Sequence, residues 1–298
     1  MRLGRGSLWV LMWLAGATFL PTTKAQERPL PDLQTFLAQA RQHLRTDPQL
    51  LSQYTFRQRE TELHLTKFGK LTTGPIKVYE VYPALNPDDS YRRLVEVDGK
   101  PRDAAELARD DRKHQQRVLA DASRREHETA SDREKRLRQE AKERQEYDDL
   151  FDDVFRVYAF SIVARQSMDG HSTVIVDFKP RPEAVAKTPD GKSLKKIKGR
   201  AWVSEDDYEL VRVEALMLED LAVRGFLGKL YAGTTASFSR RKINGEVWLP
   251  SEVSVKATGR ALIRKFNIDM LVQYSDYRKF TVRTDTEFSL PPAEGTTK

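Results

Sequence analysis

Apolar residues recur with helical spacing shortly after residue 30. They fall at i, i+3, i+4, i+7 and i+11, which places them on one face of a helix. Asp32 is a candidate N-cap, and Asp47-Pro48 breaks the pattern. The polar face contains few lysines, so we expect this helix to pack on a sheet and not to lie on a membrane. The stripe consists of Leu33, Phe36, Leu37, Ala40 and Leu44.

Strand-like patterns occupy most of the remaining chain. They are rich in Thr, Tyr, Val and Phe, and Asp98-Gly99, Asp169-Gly170 and Asn244-Gly245 predict hairpin turns between them. Within the first strand, the strand-forming residues shift from even positions, as at Phe56, to odd positions, as at Thr61. This shift indicates a bulge or a strong bend. The predicted strands are 53–65, 75–83, 90–97, 155–166, 172–178, 199–203, 208–218, 234–243, 247–258 and 262–274.

The arrangement of these strands indicates the fold class. We count about nine or ten strands with no regular βαβ alternation, so we expect an α+β fold that is mainly β. The architecture that fits best is a curled antiparallel sheet, an open half-barrel, covered by helices. Residues 180–198 are predicted as a loop, and residues 222–231 are open between a short helix and a loop.

A highly charged segment interrupts the strands at about 103–153. It contains no Pro or Gly and few large apolar residues, which is typical of exposed helix. Ser131 and Glu134 match a capping box, so we expect two helices, at about 103–128 and 132–152. The segment lacks a sustained apolar seam, which disfavours a coiled coil. We therefore predict a charged helical hairpin inserted into the half-barrel.

The first 25 residues have the pattern of a secretory signal peptide. Arg2 and Arg5 form a basic region, an apolar run follows over 8–20, and Thr23-Lys24-Ala25 predicts cleavage before Gln26. The apolar run is shorter than the about 20 residues needed to span a bilayer. We expect a periplasmic protein in which residues 26–298 form one domain, without a transmembrane span in the mature chain.

Composition narrows the chemistry. The formal charge is +7, and removal of Arg2, Arg5 and Lys24 with the signal peptide leaves +4. Outside the cytoplasm such a balance favours contact with anionic lipid surfaces, or solubility alone, over nucleic acid. The chain has no cysteine, which excludes disulfides, thiol nucleophiles, cysteine metal sites and a lipid-anchored N-terminal cysteine.

Motifs for catalysis or metal binding are missing from the sequence. The five histidines, at positions 43, 64, 114, 127 and 171, do not have the spacing that brings two imidazoles together on a helix. No Gly-x-Ser-x-Gly elbow occurs. We therefore expect no enzyme, no metal site and no cofactor, although a carboxylate pair of the glycosidase type has no spacing rule that could exclude it.

The order of elements resembles that of the periplasmic lipoprotein carriers, the LolA/LolB-like superfamily. The residues that carry this resemblance follow the helix and first strand: Asp98-Gly99-Lys100, Ala201-Trp202-Val203-Ser204-Glu205-Asp206, Leu249-Pro250 and the run from Tyr274 to Phe280. The resemblance covers most of the mature chain outside the charged segment. It implies an incomplete barrel lidded by helices, with an early-strand arginine, Arg57 or Arg59, that latches the lid. Relatives of this fold also act as envelope-stress sensors that bind a regulator's periplasmic segment.

Two functional hypotheses follow. The first is a non-catalytic protein that binds a lipid or a lipoprotein acyl chain in an apolar cavity, through burial of apolar area. The second is a sensor or scaffold that docks a protein partner through the charged helices. Ordinary core packing is the alternative role for each candidate cavity residue. These candidates are Phe36, Leu37, Tyr79, Val81, Val95, Trp202, Val211, Phe266, Ile268 and Met270.

Overall fold

The computed structural model describes residues 28–43, 48–65, 71–84, 90–223, 228–261 and 264–280. The predicted signal peptide, Leu44 and the C-terminal tail lie outside the described residues. The helices within them are α1 (Leu33–His43), α2 (Pro48–Leu51), α3 (Ala104–Glu126), α4 (Ala130–Val157) and α5 (Pro189–Leu194). The strands are β1 (Tyr54–Leu65), β2 (Leu71–Thr73), β3 (Lys77–Tyr82), β4 (Tyr91–Val97), β5 (Lys100–Pro101), β6 (Tyr158–Met168), β7 (His171–Pro180), β8 (Ile197–Ser204), β9 (Leu210–Met217), β10 (Leu221–Val223), β11 (Gly228–Leu230), β12 (Thr235–Ile243), β13 (Val247–Ala261) and β14 (Arg264–Lys279).

The described strands form one open antiparallel sheet. Its order is β5-β4-β3-β1-β14-β13-β12-β9-β8-β7-β6, and β2, β10 and β11 pair at its margins. Strands β5 and β6 end this order, and α3 and α4 connect them along the chain. The predicted fold class, a mainly β protein with an unclosed antiparallel sheet and covering helices, is confirmed.

The two faces of the sheet differ in chemistry. On one face a cross-strand row runs through Val176, Ala201, Val213, Phe238, Val253 and Val272. The adjacent row on the other face runs through Asp177, Arg200, Glu214, Ser237 and Ser254. Because successive side chains of a strand point to opposite sides, these rows define an apolar face and a polar face.

Helix α1 covers one end of the apolar face. Its buried residues, Phe36 and Ala40, pack against Val174, Val176 and Val203 of β7 and β8. Asp32 caps the helix, since its carboxylate accepts a hydrogen bond of 2.9 Å from the Thr35 backbone N–H. The amphipathic stripe and the cap therefore act as predicted.

The charged segment forms two long helices, as predicted, but with different boundaries. Helix α4 begins after Thr129, whose hydroxyl accepts from the Asp132 backbone N–H at 3.2 Å, so Ser131 is not the N-cap. The helix continues to Val157, beyond the predicted end at residue 152, because Val157 is buried, and Val154 partly buried, in a cluster with Tyr158. Apolar contact at this end extends the helix into the region predicted as a strand.

Three predicted hairpin turns are present. In Asp98-Gly99, Asp169-Gly170 and Asn244-Gly245, both residues have positive φ, the geometry of the type I′ turn that matches strand twist. The irregularity of β1 lies earlier than predicted: its register against β14 shifts between Thr55 and Arg57, whereas it pairs with β14 without a shift from Arg57 to Thr61. The 180–198 segment, predicted as a loop, also contains α5. In the open region 222–231, the described residues belong to β10 and β11.

Candidate functional site

A crevice of about 360 Å³ lies between α1, the last turns of α4 and the start of β6. This volume is within the range of pockets that hold small molecules. Helix α1 forms one wall because its buried face is fixed on the sheet, which leaves its next face towards α4. The lining residues are Leu33, Gln34, Leu37, Ala38, Arg41, Phe155, Ala159, Phe160 and Arg181.

The crevice combines an apolar lining with two arginines. Phe155 and Phe160 pack with ring centroids 5.7 Å apart, which provides an aromatic surface. Arg41 donates to Asp152 at 2.6 Å, and its guanidinium lies 5.0 Å from the centre of the Phe155 ring. Arg181 is exposed, and no ion pair of its side chain occurs within the described part of the chain. The arrangement suits an elongated apolar group that ends in an anion.

The buried carboxylate of Asp153 holds the segment that follows β7 against the end of α4. It accepts hydrogen bonds from the backbone N–H groups of Lys187 and Thr188 at 2.9 and 2.8 Å. The Thr188 hydroxyl and Arg156 donate to it as well, at 2.9 and 2.6 Å. Burial alone would raise the pKa of Asp153, but these hydrogen bonds outweigh it and hold the pKa below its usual value.

Close packing at Gly191 reinforces this contact. A Cβ atom at Gly191 would lie 2.1 Å from the Asp153 carboxylate oxygen, so only glycine permits the approach. The Thr188 hydroxyl accepts from the Gly191 backbone N–H at 2.8 Å and caps α5. Asp153 thus fixes the segment that begins with Arg181, one wall of the crevice.

Beyond the crevice, the apolar face continues across the central strands. Its side chains there are only partly buried, in contrast to those beneath α1. The partly buried set includes Val213, Phe238, Val253, Val255, Ile268 and Met270. The crevice and this wider apolar surface lie on the same side of the sheet, the side on which α1 packs.

The structure places seven of the predicted cavity residues on this apolar side, one of which, Val81, is buried. Leu37 lines the crevice, whereas Phe36 is buried behind it in the core. Ile268 and Met270 lie on the apolar face of β14, opposite Ala257 and Val255 of β13. The Phe266 ring covers Gly259 on the same face, and Tyr79 continues it on β3, where the Arg92 guanidinium lies 4.3 Å from its ring centre.

Four predicted residues do not join an accessible cavity wall. Trp202 and Val211 pack with Ile175 and Trp248 on the opposite side of the sheet. Ile175 lies between Val174 and Val176 of β7, which contact Phe36, so its side chain points to the other side. Val81 is on the apolar side but only 5% exposed. Val95 is the extra residue of a bulge in β4, between the partners of Val78 and Tyr79.

The predicted latch is also corrected. Arg57 and Arg59 are exposed residues of β1 that flank Gln58, which pairs with Tyr79 on the apolar side. Alternation therefore directs both arginines to the polar face, away from α1. Arg57 lies 3.8 Å from Asp276 instead. The arginine that connects α1 to its neighbours is Arg41, on the helix itself.

Sequence reasoning missed Arg41, Arg181, Phe155 and Phe160. Phe155 and Phe160 were assigned to one strand, but the helix–strand boundary falls between them and brings both rings to the crevice. Arg41 lies outside the apolar stripe that predicts α1, so the stripe did not select it. The i+4 spacing of Leu37 and Arg41 on α1 was a usable signal, since it places both on one side of the helix.

A larger crevice, of about 740 Å³, lies mainly on the polar face over β7 to β13. Its charges are mostly paired, with Arg200 and Asp177 at 2.5 Å and Arg212 and Glu214 at 2.6 Å. An apolar group bound there would gain little binding free energy, because it would remove water from polar side chains. The smaller crevice beside α1 therefore matches the chemistry of the apolar face better.

Within the ranges that the structure describes, no group of three His, Asp or Glu residues is placed to hold a metal ion. None of the described helices combines the length and the apolar character that crossing a bilayer requires.

Several solved structures resemble this fold. A putative outer membrane lipoprotein-sorting protein domain from Vibrio parahaemolyticus is 8% identical, with a TM-score of 0.33, over 84% of this chain and 93% of that one. A LolA superfamily protein from Nitrosomonas europaea is 10% identical, with a TM-score of 0.27, over 85% and 96%. The MucA/MucB complex of Pseudomonas aeruginosa contains a chain 10% identical, with a TM-score of 0.20, over 83% and 98%.

These neighbours include the carrier superfamily that the element order resembles. No protein-family model and no curated protein matches the chain.

Proposed function

We propose that this chain is a non-catalytic binding protein of the bacterial cell envelope that holds an acyl chain of a lipid or lipoprotein beside α1. One observation carries the proposal: the crevice on the apolar side has an aromatic and aliphatic lining with Arg41 and Arg181 at its edge. An acyl chain would gain about 25 cal/mol for each Å² of apolar area buried there. An anionic headgroup or carboxylate would meet the guanidinium groups.

Location in the periplasm is part of the same proposal. It is supported by the signal-peptide pattern of residues 1–25, which would deliver the chain to a compartment where lipoproteins travel. The absence of cysteine is compatible with that compartment, because the chain depends on its own core and not on disulfides.

To test the proposal, a bulky side chain is placed in the crevice at a position that lines it, so that it blocks the ligand. Ala38 lines the crevice and is exposed on α1, so Ala38→Phe places a ring where the ligand would lie. The matched control is Gln39→Phe, at the neighbouring exposed position that does not line the crevice. Both variants retain the buried face of α1, so both should fold.

Native mass spectrometry of the purified chain, with phosphatidylglycerol or a palmitoylated peptide offered, measures binding. We expect near-stoichiometric adducts with the wild-type chain and with Gln39→Phe, and at least a tenfold loss with Ala38→Phe. A wild-type chain that stays free of both ligands contradicts the proposal. Equal binding by both variants would place the ligand elsewhere.

A further inference from the structure

One face of α3 is strongly basic. At 100° per residue, five cations fall within an arc of about 140°. All five are exposed, and the side chains of Arg109 and Arg124 are 62% and 79% exposed. We call this surface the basic face of α3. It consists of Arg109, Arg112, Lys113, Arg117 and Arg124.

The opposite side of α3 is fixed to the sheet, which orients the basic face. The His114 ring stacks on Tyr91 of β4 with centroids 4.0 Å apart and planes 10° apart. Asp111 accepts from the Tyr91 hydroxyl at 2.6 Å and from two nitrogens of Arg93 at 2.9 and 3.0 Å. Because Asp111 and His114 face β4, the cations on the other side of the helix face solvent.

Two of the five cations of this surface have acidic partners on α3, since Arg109 lies 4.0 Å from Glu106 and Arg124 pairs with Asp121. Arg112, Lys113 and Arg117 form no ion pair with any residue that the structure describes. Leu119 lies at the border of the basic face and is 69% exposed. A rigid helix therefore presents several free cations and an exposed apolar side chain in one direction.

We propose that the basic face of α3 docks on the surface of a bilayer that contains anionic lipids. A cluster of Lys and Arg on one helix is attracted to the negative surface potential of a leaflet that contains anionic lipids. A planar anionic surface can engage the cations together, because all five lie within about 140° on the side of the helix that faces away from the sheet. This inference concerns a different surface from the crevice and does not depend on the acyl-chain proposal.

The experiment compares two variants with the same loss of charge. Arg112→Gln, Lys113→Gln and Arg117→Gln together neutralise the basic face. Lys179→Gln, Lys187→Gln and Lys198→Gln together are the control, because these residues are exposed, are distant from α3 in sequence and form no ion pair within the described ranges. The chain from Gln26 onward is used, since every described element follows that residue.

Sedimentation with phosphatidylglycerol-containing vesicles, and with phosphatidylcholine vesicles, measures docking at low salt. Each Lys or Arg near an anionic leaflet changes partitioning about fivefold, so the α3 variant should lose about 100-fold and the control little. Added salt should weaken binding to the anionic vesicles. Circular dichroism verifies that both variants retain their helix content.

Three outcomes would overturn the proposal. The first is a wild-type chain that does not bind anionic vesicles at low salt. The second is an equal loss in both triple variants, which would assign binding to net charge alone. The third is stronger binding to a DNA duplex or to an acidic protein than to the vesicles, with the same dependence on α3. Ala38→Phe should leave vesicle binding unchanged, so the two proposals can fail separately.

Discussion

Replacement of Asp153 by Asn tests whether this buried carboxylate holds the crevice wall. Its side chain is fully buried, and each carboxylate oxygen accepts two hydrogen bonds. An amide keeps the size but turns one oxygen into a donor, so two charge-assisted bonds are lost wherever the NH₂ group lies. At about 1.5–3 kcal/mol each, the expected loss is about 3–6 kcal/mol of the free energy of unfolding.

Urea denaturation at pH 7 measures this loss. The control is Asp152→Asn, one residue away, because Asp152 is 43% exposed and its pair with Arg41 should contribute about 0–1 kcal/mol. The folded-state pKa of Asp153 is lowered, so its stabilisation is present above the ordinary value of 3.8 and is lost as pH falls below it. The two proteins should therefore converge in strong acid. A loss below about 1 kcal/mol at pH 7, or equal losses in both variants, would refute the reasoning.

Three further changes test the packing of the sheet and helices. Gly199→Ala should destabilise by about 1–3 kcal/mol in thermal unfolding, since the new Cβ would lie 2.0 Å from the Glu214 carbonyl oxygen; an unchanged Tm contradicts this. Leu249→Ala should cost about 2–5 kcal/mol in urea, because Leu249 is 0% exposed, and a loss under 1 kcal/mol would be too small. Asp111→Asn removes the negative charge and one of the two oxygens that accept from Arg93, so it should speed hydrogen exchange of α3 at least tenfold; unchanged protection would show that docking does not need this carboxylate.

Local sequence patterns were sufficient to predict the elements that are stabilised by residues close together in the chain. The α1 stripe depends on a 3.6-residue period and its cap on Asp32, so neither needs the rest of the chain. The turn at Asn244-Gly245 follows from backbone conformations that these two residues adopt easily. The charged segment formed helices as predicted, since its charges and its lack of Pro and Gly act within a few residues.

The faces of the sheet were decided only by tertiary structure. Alternation predicts that Trp202 and Val203 point to opposite sides, but not which side receives α1. The pairing of eleven strands in one order decides that, and a bulge in any of them reverses the parity downstream. For this reason Trp202 and Val211 were grouped with Phe36 although they pack on the other side, and Arg57 and Arg59 were assigned to a latch that they face away from.

The crevice could not be predicted from the sequence for a related reason. It joins Leu37 and Arg41 of α1 to Phe155, Phe160 and Arg181, more than 100 residues later. The amphipathic, charged and turning segments could be predicted from the sequence, because those properties depend on neighbours in the chain. The fold sets which of these surfaces meet, because cross-strand register and the point where α4 ends depend on contacts between distant residues.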